Sequence, residues 1–218
     1  MDKILTITNL EKSFHTRDGE IKALESVSFD VREKEFISIV GPSGCGKSTI
    51  LSILAGLEEK SNGEINFSKD YTIGYMLQND SLFEWRTVLE NCLLGLEITN
   101  QLTKENKEYV INLLKTYGLE EFIDSYPSRL SGGMRQRVAL IRTLATKPDI
   151  LLLDEAMSAL DYQSRLAISD DIYKIIKKEG KTAIMVTHDI AEAISLISMT
   201  INTSYFIRCF HYIKYYKK

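Results

Sequence analysis

The chain has 218 residues, 44% of them hydrophobic and 26% charged, with a net charge of −3. That length supports one well-buried core and a small subdomain, and the balance excludes a whole-chain pull toward nucleic acid or anionic lipid. Cys45, Cys92 and Cys209 are scattered without a CxxC pair, which excludes a disulfide framework or a cysteine zinc site and points to a reducing compartment.

The first residues, Met1-Asp2-Lys3-Ile4-Leu5-Thr6, lack the cationic flank and apolar run of a signal peptide. No uninterrupted apolar stretch is long enough to span a bilayer, so any membrane role is expected through a partner. Ile4 to Leu10 alternates apolar and polar residues, and Asp18-Gly19 reads as a hairpin turn. Val27, Phe29 and Val31 alternate with polar residues, the pattern of a sheet with one wet face. Phe36–Val40 is more uniformly apolar, as a central strand is. Ser48–Ala55 reads as a helix stopped by Gly56, and Asn62-Gly63 as a turn before short strands at Glu64–Phe67 and Thr72–Leu77. Helices follow at Glu105–Tyr117, with Gly118 as its stop, and at Met134–Ala145, with Pro148 beyond its end. Ile150–Leu153 reads as a strand, Asp161 as the cap of a helix running to about Lys178, and Thr182–Thr187 as a buried strand. Strands alternating with helices predict an α/β fold with a largely parallel sheet, preceded by an antiparallel β subdomain.

Gly41-Pro42-Ser43-Gly44-Cys45-Gly46-Lys47-Ser48-Thr49 satisfies G-x-x-x-x-G-K-[ST], between a strand and a helix. The glycines let backbone N–H groups turn inward onto phosphate oxygens, and the helix N-terminus adds about half an elementary charge. Lys47 would reach the β- and γ-phosphates and Ser48 would ligate Mg²⁺. The bland alternative, a glycine-rich turn that binds nothing, has to ignore that context. Ile150-Leu151-Leu152-Leu153-Asp154-Glu155 is an apolar strand ending in two acids. With the phosphate loop upstream, Asp154 is expected to hold Mg²⁺ through water, and Glu155 to polarise the attacking water as general base. Alone, the pair would read as solvated acids at a surface turn.

Leu130-Ser131-Gly132-Gly133-Met134-Arg135-Gln136 resembles the LSGGQ-type signature of ABC ATPases, with Met134 where Gln is commonest. In the same order Gln78 looks like that family's Q-loop glutamine, Ser158-Ala159-Leu160-Asp161 its D-loop, and His188 its switch histidine. Phe14 stands where an aromatic residue stacks on adenine. Singly, each has a duller reading: a solvated Gln, a structural His, a flexible Gly pair, a core Phe. The resemblance runs from about Leu5 to Ala193. It implies the P-loop NTPase, ABC-ATPase fold, with the antiparallel β subdomain and a helical subdomain at about 80–147, inside an ATPase domain at 1–196. It also implies ATP and Mg²⁺ as ligands and a homodimer of two ATPase subunits. ATP is then held by the loop of one copy and by Ser131, Gly132 and Gly133 of the other. Gln78 would contact Mg²⁺ and relay the change to the membrane partner, and His188 would hold the γ-phosphate. Two integral membrane permease subunits and, indirectly, a solute-binding protein are the implied partners, without nucleic acid. The implied location is the cytoplasmic face of the membrane, as a peripheral protein. A DNA-repair or translation ABC protein would carry a long coiled-coil insertion or a second cassette. A small-molecule kinase would lack the signature.

Asn79–Asn91 resembles the "LLPWRTVLENV" stretch of importers for nitrate, sulfonates and taurine, with Glu84 in place of Pro. That implies a small-solute importer, with Trp85 and Leu82 as an exposed contact for a permease helix. After about Leu196 the resemblance ends. Residues 197–218 contain no acid and are crowded with aromatics and basic residues. The expectation is a tail replaced by frameshift or truncation, which would leave the sheet short of an edge strand. A divergent native strand and a patch for lipid headgroups are the alternatives, and a catalytically dead relic is the corresponding functional one.

Overall fold

The computed structural model describes residues 2–17, 19–155, 162–189 and 206–208. Strands β1 (Lys3–Thr16) and β2 (Gly19–Arg32) pair antiparallel, with Thr16 opposite Gly19, as the hairpin reading expects. β4 (Asn62–Phe67) pairs with the other edge of β1, giving a three-stranded sheet in the order β2-β1-β4. Asn62-Gly63 is part of β4, a correction to the turn reading. Gly63 takes φ +88°, and a Cβ there would stand 2.3 Å from the Asn9 carbonyl oxygen, so Asn-Gly here builds a bulge against β1.

The second sheet has the order β5-β6-β7-β3-β8 and is parallel throughout. Its strands are β3 (Phe36–Val40), β5 (Ile73–Met76), β6 (Ile150–Asp154), β7 (Thr182–Thr187) and β8 (Phe206–Arg208). Every residue of β3, β6 and β7 is buried, the expected state of a parallel sheet covered on both faces. Side chains alternate between two cores. Ile150, Leu152, Ile184 and Val186 pack with helix α1 (Lys47–Leu54) and the antiparallel sheet. Leu151, Leu153, Ala183 and Met185 pack with α2 (Val88–Ile98), α3 (Lys104–Thr116), α4 (Gly132–Ala145) and α5 (Tyr162–Lys178).

β8 lies beside β3, with Phe206 opposite Ser38 and Arg208 opposite Val40. The sheet therefore has the edge neighbour that the sequence reading expected it to lack. Backbone pairing requires only an extended chain, and Phe206 and Ile207 are good strand formers. The rest of the segment after residue 196, and the cap reading of Asp161, lie outside the described residues. α2 was not anticipated. Its start is a capping box: Thr87 accepts from the Glu90 amide while the Glu90 carboxylate accepts from the Thr87 amide.

Candidate functional site: a phosphate loop facing two acids

β3 ends at Val40, and the Gly41 amide donates to the Thr187 carbonyl at the end of β7. The chain then turns through Gly44 (φ +80°) and Gly46 (φ +90°) into α1. No side chain fits at Gly46: a Cβ there would lie 2.3 Å from the Ala23 carbonyl oxygen. Cys45 is buried, its amide bonded to the Pro42 carbonyl. Lys47 runs back under the loop. Its buried ammonium donates to the Gly41 (2.9 Å) and Pro42 (3.0 Å) carbonyls and lies 3.6 Å from Glu155 Oε1.

β6 delivers the acids from the far side of β7, two strand positions from β3. The Ser48 hydroxyl donates to Asp154 Oδ1 at 2.7 Å, and the Tyr75 phenol donates to Asp154 Oδ2 at 3.0 Å. Burial, reinforced by the Asp154 charge, pushes the Tyr75 phenol up to about 12. Glu155 has φ +42°, the left-handed region that costs a residue with a Cβ about 1–2 kcal/mol, and its amide is tied to the Val186 carbonyl. That backbone turn presents the carboxylate to three partners. Gln78 Nε2 donates to Oε2 at 3.3 Å, His188 Nδ1 lies 3.1 Å from the same oxygen, and Lys47 faces Oε1.

A cleft of about 450 Å³ opens between these elements, walled by Phe14 of β1, Ala23 of β2, the loop residues Ser43, Gly44 and Gly46–Thr49, and Gln78 and Glu155. Phe14 is partly exposed there, with the Lys12 ammonium 4.8 Å from its ring centroid. The cradle fits a polyphosphate: Gly44 and Gly46 take left-handed φ values, the loop runs into the N-terminus of α1, and the Lys47 ammonium lies beneath it. The Ser48 hydroxyl and Asp154 carboxylate also fit the hard-oxygen preference of Mg²⁺, which keeps most of its ligands as water and substrate phosphate.

A sequence model described as "ABC transporter" matches residues 24–158. The chain belongs to the ABC transporter family. It is an ATP-binding subunit and an ATPase of that family. The uncharacterized ABC transporter ATP-binding protein YtlC of Bacillus subtilis is 46% identical over 198 residues, covering 88% of this chain and 76% of that protein. The taurine import ATP-binding protein TauB of Roseobacter denitrificans is 39% identical over 199 residues, covering 88% and 74%. A dimeric ATP-binding cassette in a post-hydrolysis state, bound to ADP and Pi, superposes with a TM-score of 0.73 at 34% identity, covering 88% of this chain and 91% of that one.

In this ABC ATPase the predicted site residues fall into two places. Phe14, Gly41 to Thr49, Gln78, Asp154, Glu155 and His188 gather around the cleft. Ser131, Gly132 and Gly133 are not among the residues that line it; they form the start of α4, where the Ser131 hydroxyl caps the Met134 amide. α5 packs against Gly133, where a Cβ would lie 2.3 Å from Ile168 Cδ1. Ser158–Asp161 lies outside the described residues. Trp85 is 73% exposed, with its ring 4.9 Å from that of Phe83. Leu82 is buried in the helical core, a correction to its reading as an exposed contact: its amide is turned inward by Asp80. Sequence reasoning missed Tyr75. Its only sequence signal is a phenol on a strand three residues before Gln78, and the carboxylate it meets is 79 residues away.

Proposed function

We propose that this chain powers a small-solute importer of the nitrate, sulfonate or taurine type, with Glu155 as the general base of Mg·ATP hydrolysis. The observation that carries the reading is the Glu155 carboxylate, aimed into the cleft by a strained backbone and contacted at once by Gln78, His188 and Lys47. A base must be held within hydrogen-bond reach of the proton it takes, and its orienting partners must be fixed before the reaction.

In this reading Phe14 stacks on the base, the loop amides and Lys47 neutralise the β- and γ-phosphates, and Ser48, with Asp154 behind it, holds the Mg²⁺ side of the substrate. Gln78 serves the same side and links the cleft to the segment carrying Trp85. Glu155 accepts the proton of the attacking water while His188 steadies the γ-phosphate. Ser131, Gly132 and Gly133 contribute from a second copy, because they form a helix N-terminus outside this copy's own cleft. The partners are that second copy, two permease subunits received near Trp85, and indirectly a solute-binding protein. Among the described residues no helix is long and apolar enough to cross a membrane. In this reading the chain is held by the permeases at the cytoplasmic face. Import and solute class rest on likeness to importers such as the taurine relative.

The test is Mg·ATP hydrolysis against protein concentration. The rate should rise faster than linearly for the wild type and fall about 10²–10⁴-fold in Glu155→Gln, with nucleotide binding retained. Hydrolysis that stays linear, or survives Glu155→Gln, refutes the dimeric site or the role of Glu155.

A further inference from the structure

Asp154 is held at both oxygens, and only one of its two partners belongs to the phosphate loop. Ser48 approaches Oδ1 at 2.7 Å and the Tyr75 phenol approaches Oδ2 at 3.0 Å. Asp154 thus bridges the first turn of α1, through Ser48, to Tyr75 on β5. β5 and β6 pair parallel with Tyr75 opposite Leu152. The phenol thus spans from β5 to the end of β6, and Gln78 follows it three residues later on the same run of chain.

We propose that Tyr75 is the positioning residue for Asp154, fixing its carboxylate rotamer so that Oδ1 faces the Ser48 hydroxyl and the Mg²⁺ of the nucleotide. A carboxylate on a single bond rotates, and each rotamer presents different lone pairs. A donor on Oδ2 selects one of them and leaves the other oxygen to the cation. Outer partners of this kind are worth about 10–100-fold in metal affinity or activity. Tyr75 touches neither nucleotide nor water in this scheme and acts wholly through Asp154. The same bond ties the cation side of the cleft to β5, the strand that leads into Gln78. The proposal rests on the reading of the cleft as a Mg·ATP site.

The experiment is binding of a fluorescent ATP analogue by the full chain, in EDTA and across a Mg²⁺ titration, for the wild type and Tyr75→Phe. Tyr75→Phe keeps the ring and deletes one hydroxyl. The expected result is unchanged affinity in EDTA and a half-saturating Mg²⁺ concentration raised about 10–100-fold. The same substitution made in Asp154→Asn should add nothing further, since the residue acts through that carboxylate. An unchanged Mg²⁺ requirement overturns the proposal, as does an equal loss of affinity in EDTA and in Mg²⁺, which would mark a merely structural phenol. Should the wild type itself bind the analogue without any response to Mg²⁺, the Mg·ATP reading falls, and the proposal with it.

Discussion

Asn91→Ala should destabilise the protein by about 3 kcal/mol while leaving the phosphate loop intact. Asn91 is fully buried in α2, and its one amide group stitches the segment carrying Trp85. Its Oδ1 accepts from the Phe83 amide at 2.8 Å, and its Nδ2 donates to the carbonyls of Phe83, Arg86 and Thr87 at 3.0 Å each. Not all four losses count equally. The Phe83 carbonyl keeps the Arg86 amide, and the Thr87 carbonyl keeps the Asn91 amide. The Phe83 amide and the Arg86 carbonyl, half-buried, lose their Asn91 partner, which puts each near the low end of the about 1–3 kcal/mol cost of an unsatisfied group. Trimming the side chain adds a small cavity, bringing the sum to about 3 kcal/mol. Asn91→Asp should cost as much or more, since it points acceptors at three carbonyls. Urea unfolding followed by circular dichroism gives the stability change. Trp85, the single tryptophan of the chain, reports locally because its ring leans on Phe83. A loss below about 1 kcal/mol would show that water replaces these bonds freely, and the account of the segment as stitched by Asn91 would be wrong.

Thr87→Ala should cost about 1 kcal/mol, the usual worth of an N-cap, read as a lower urea midpoint with unchanged slope. Asp80 supplies the pH dependence. Burial works against its charge, but hydrogen bonds from Arg135 and the Leu82 amide, with the charges of Arg135 and Arg142, hold its carboxyl below the ordinary 3.8. Its folded-state pKa is thus below the unfolded one. The stabilisation is fully present above about pH 4 and is lost as pH falls through the depressed value. Asp80→Asn should therefore lower stability at pH 6 and flatten the fall of stability on acidification; parallel curves for the two proteins would exclude Asp80 as a source of that fall.

The parts of this fold that were legible in the sequence are those where local pattern and burial agree. β3, β6 and β7 are short apolar runs because a parallel sheet covered on both faces asks for nothing polar. The phosphate loop was legible because its glycines answer a backbone demand that no other residue meets. What was not legible depends on pairings distant in sequence. Gly63 reads as a turn glycine until β1 is set 2.3 Å from its missing Cβ. Leu82 reads as surface until α2 and α4 close over it. Tyr75 is a phenol on a strand until β6 brings Asp154 alongside. α2 carried its own signal in Thr87-x-x-Glu90, but a helix that is apolar on several sides gives a weak period of its own.

The alternation along β6 and β7 also governs how the molecule comes apart. Leu151 and Leu153 are the floor of one core, and Ile150 and Leu152, one residue away on the same backbone, are the ceiling of the other. Neither core can be opened by peeling a layer without stripping the strand that seals its neighbour. Melting of the helical layer and melting of the β layer are therefore a single event. Heat should divide this protein into folded and unfolded molecules rather than into halves.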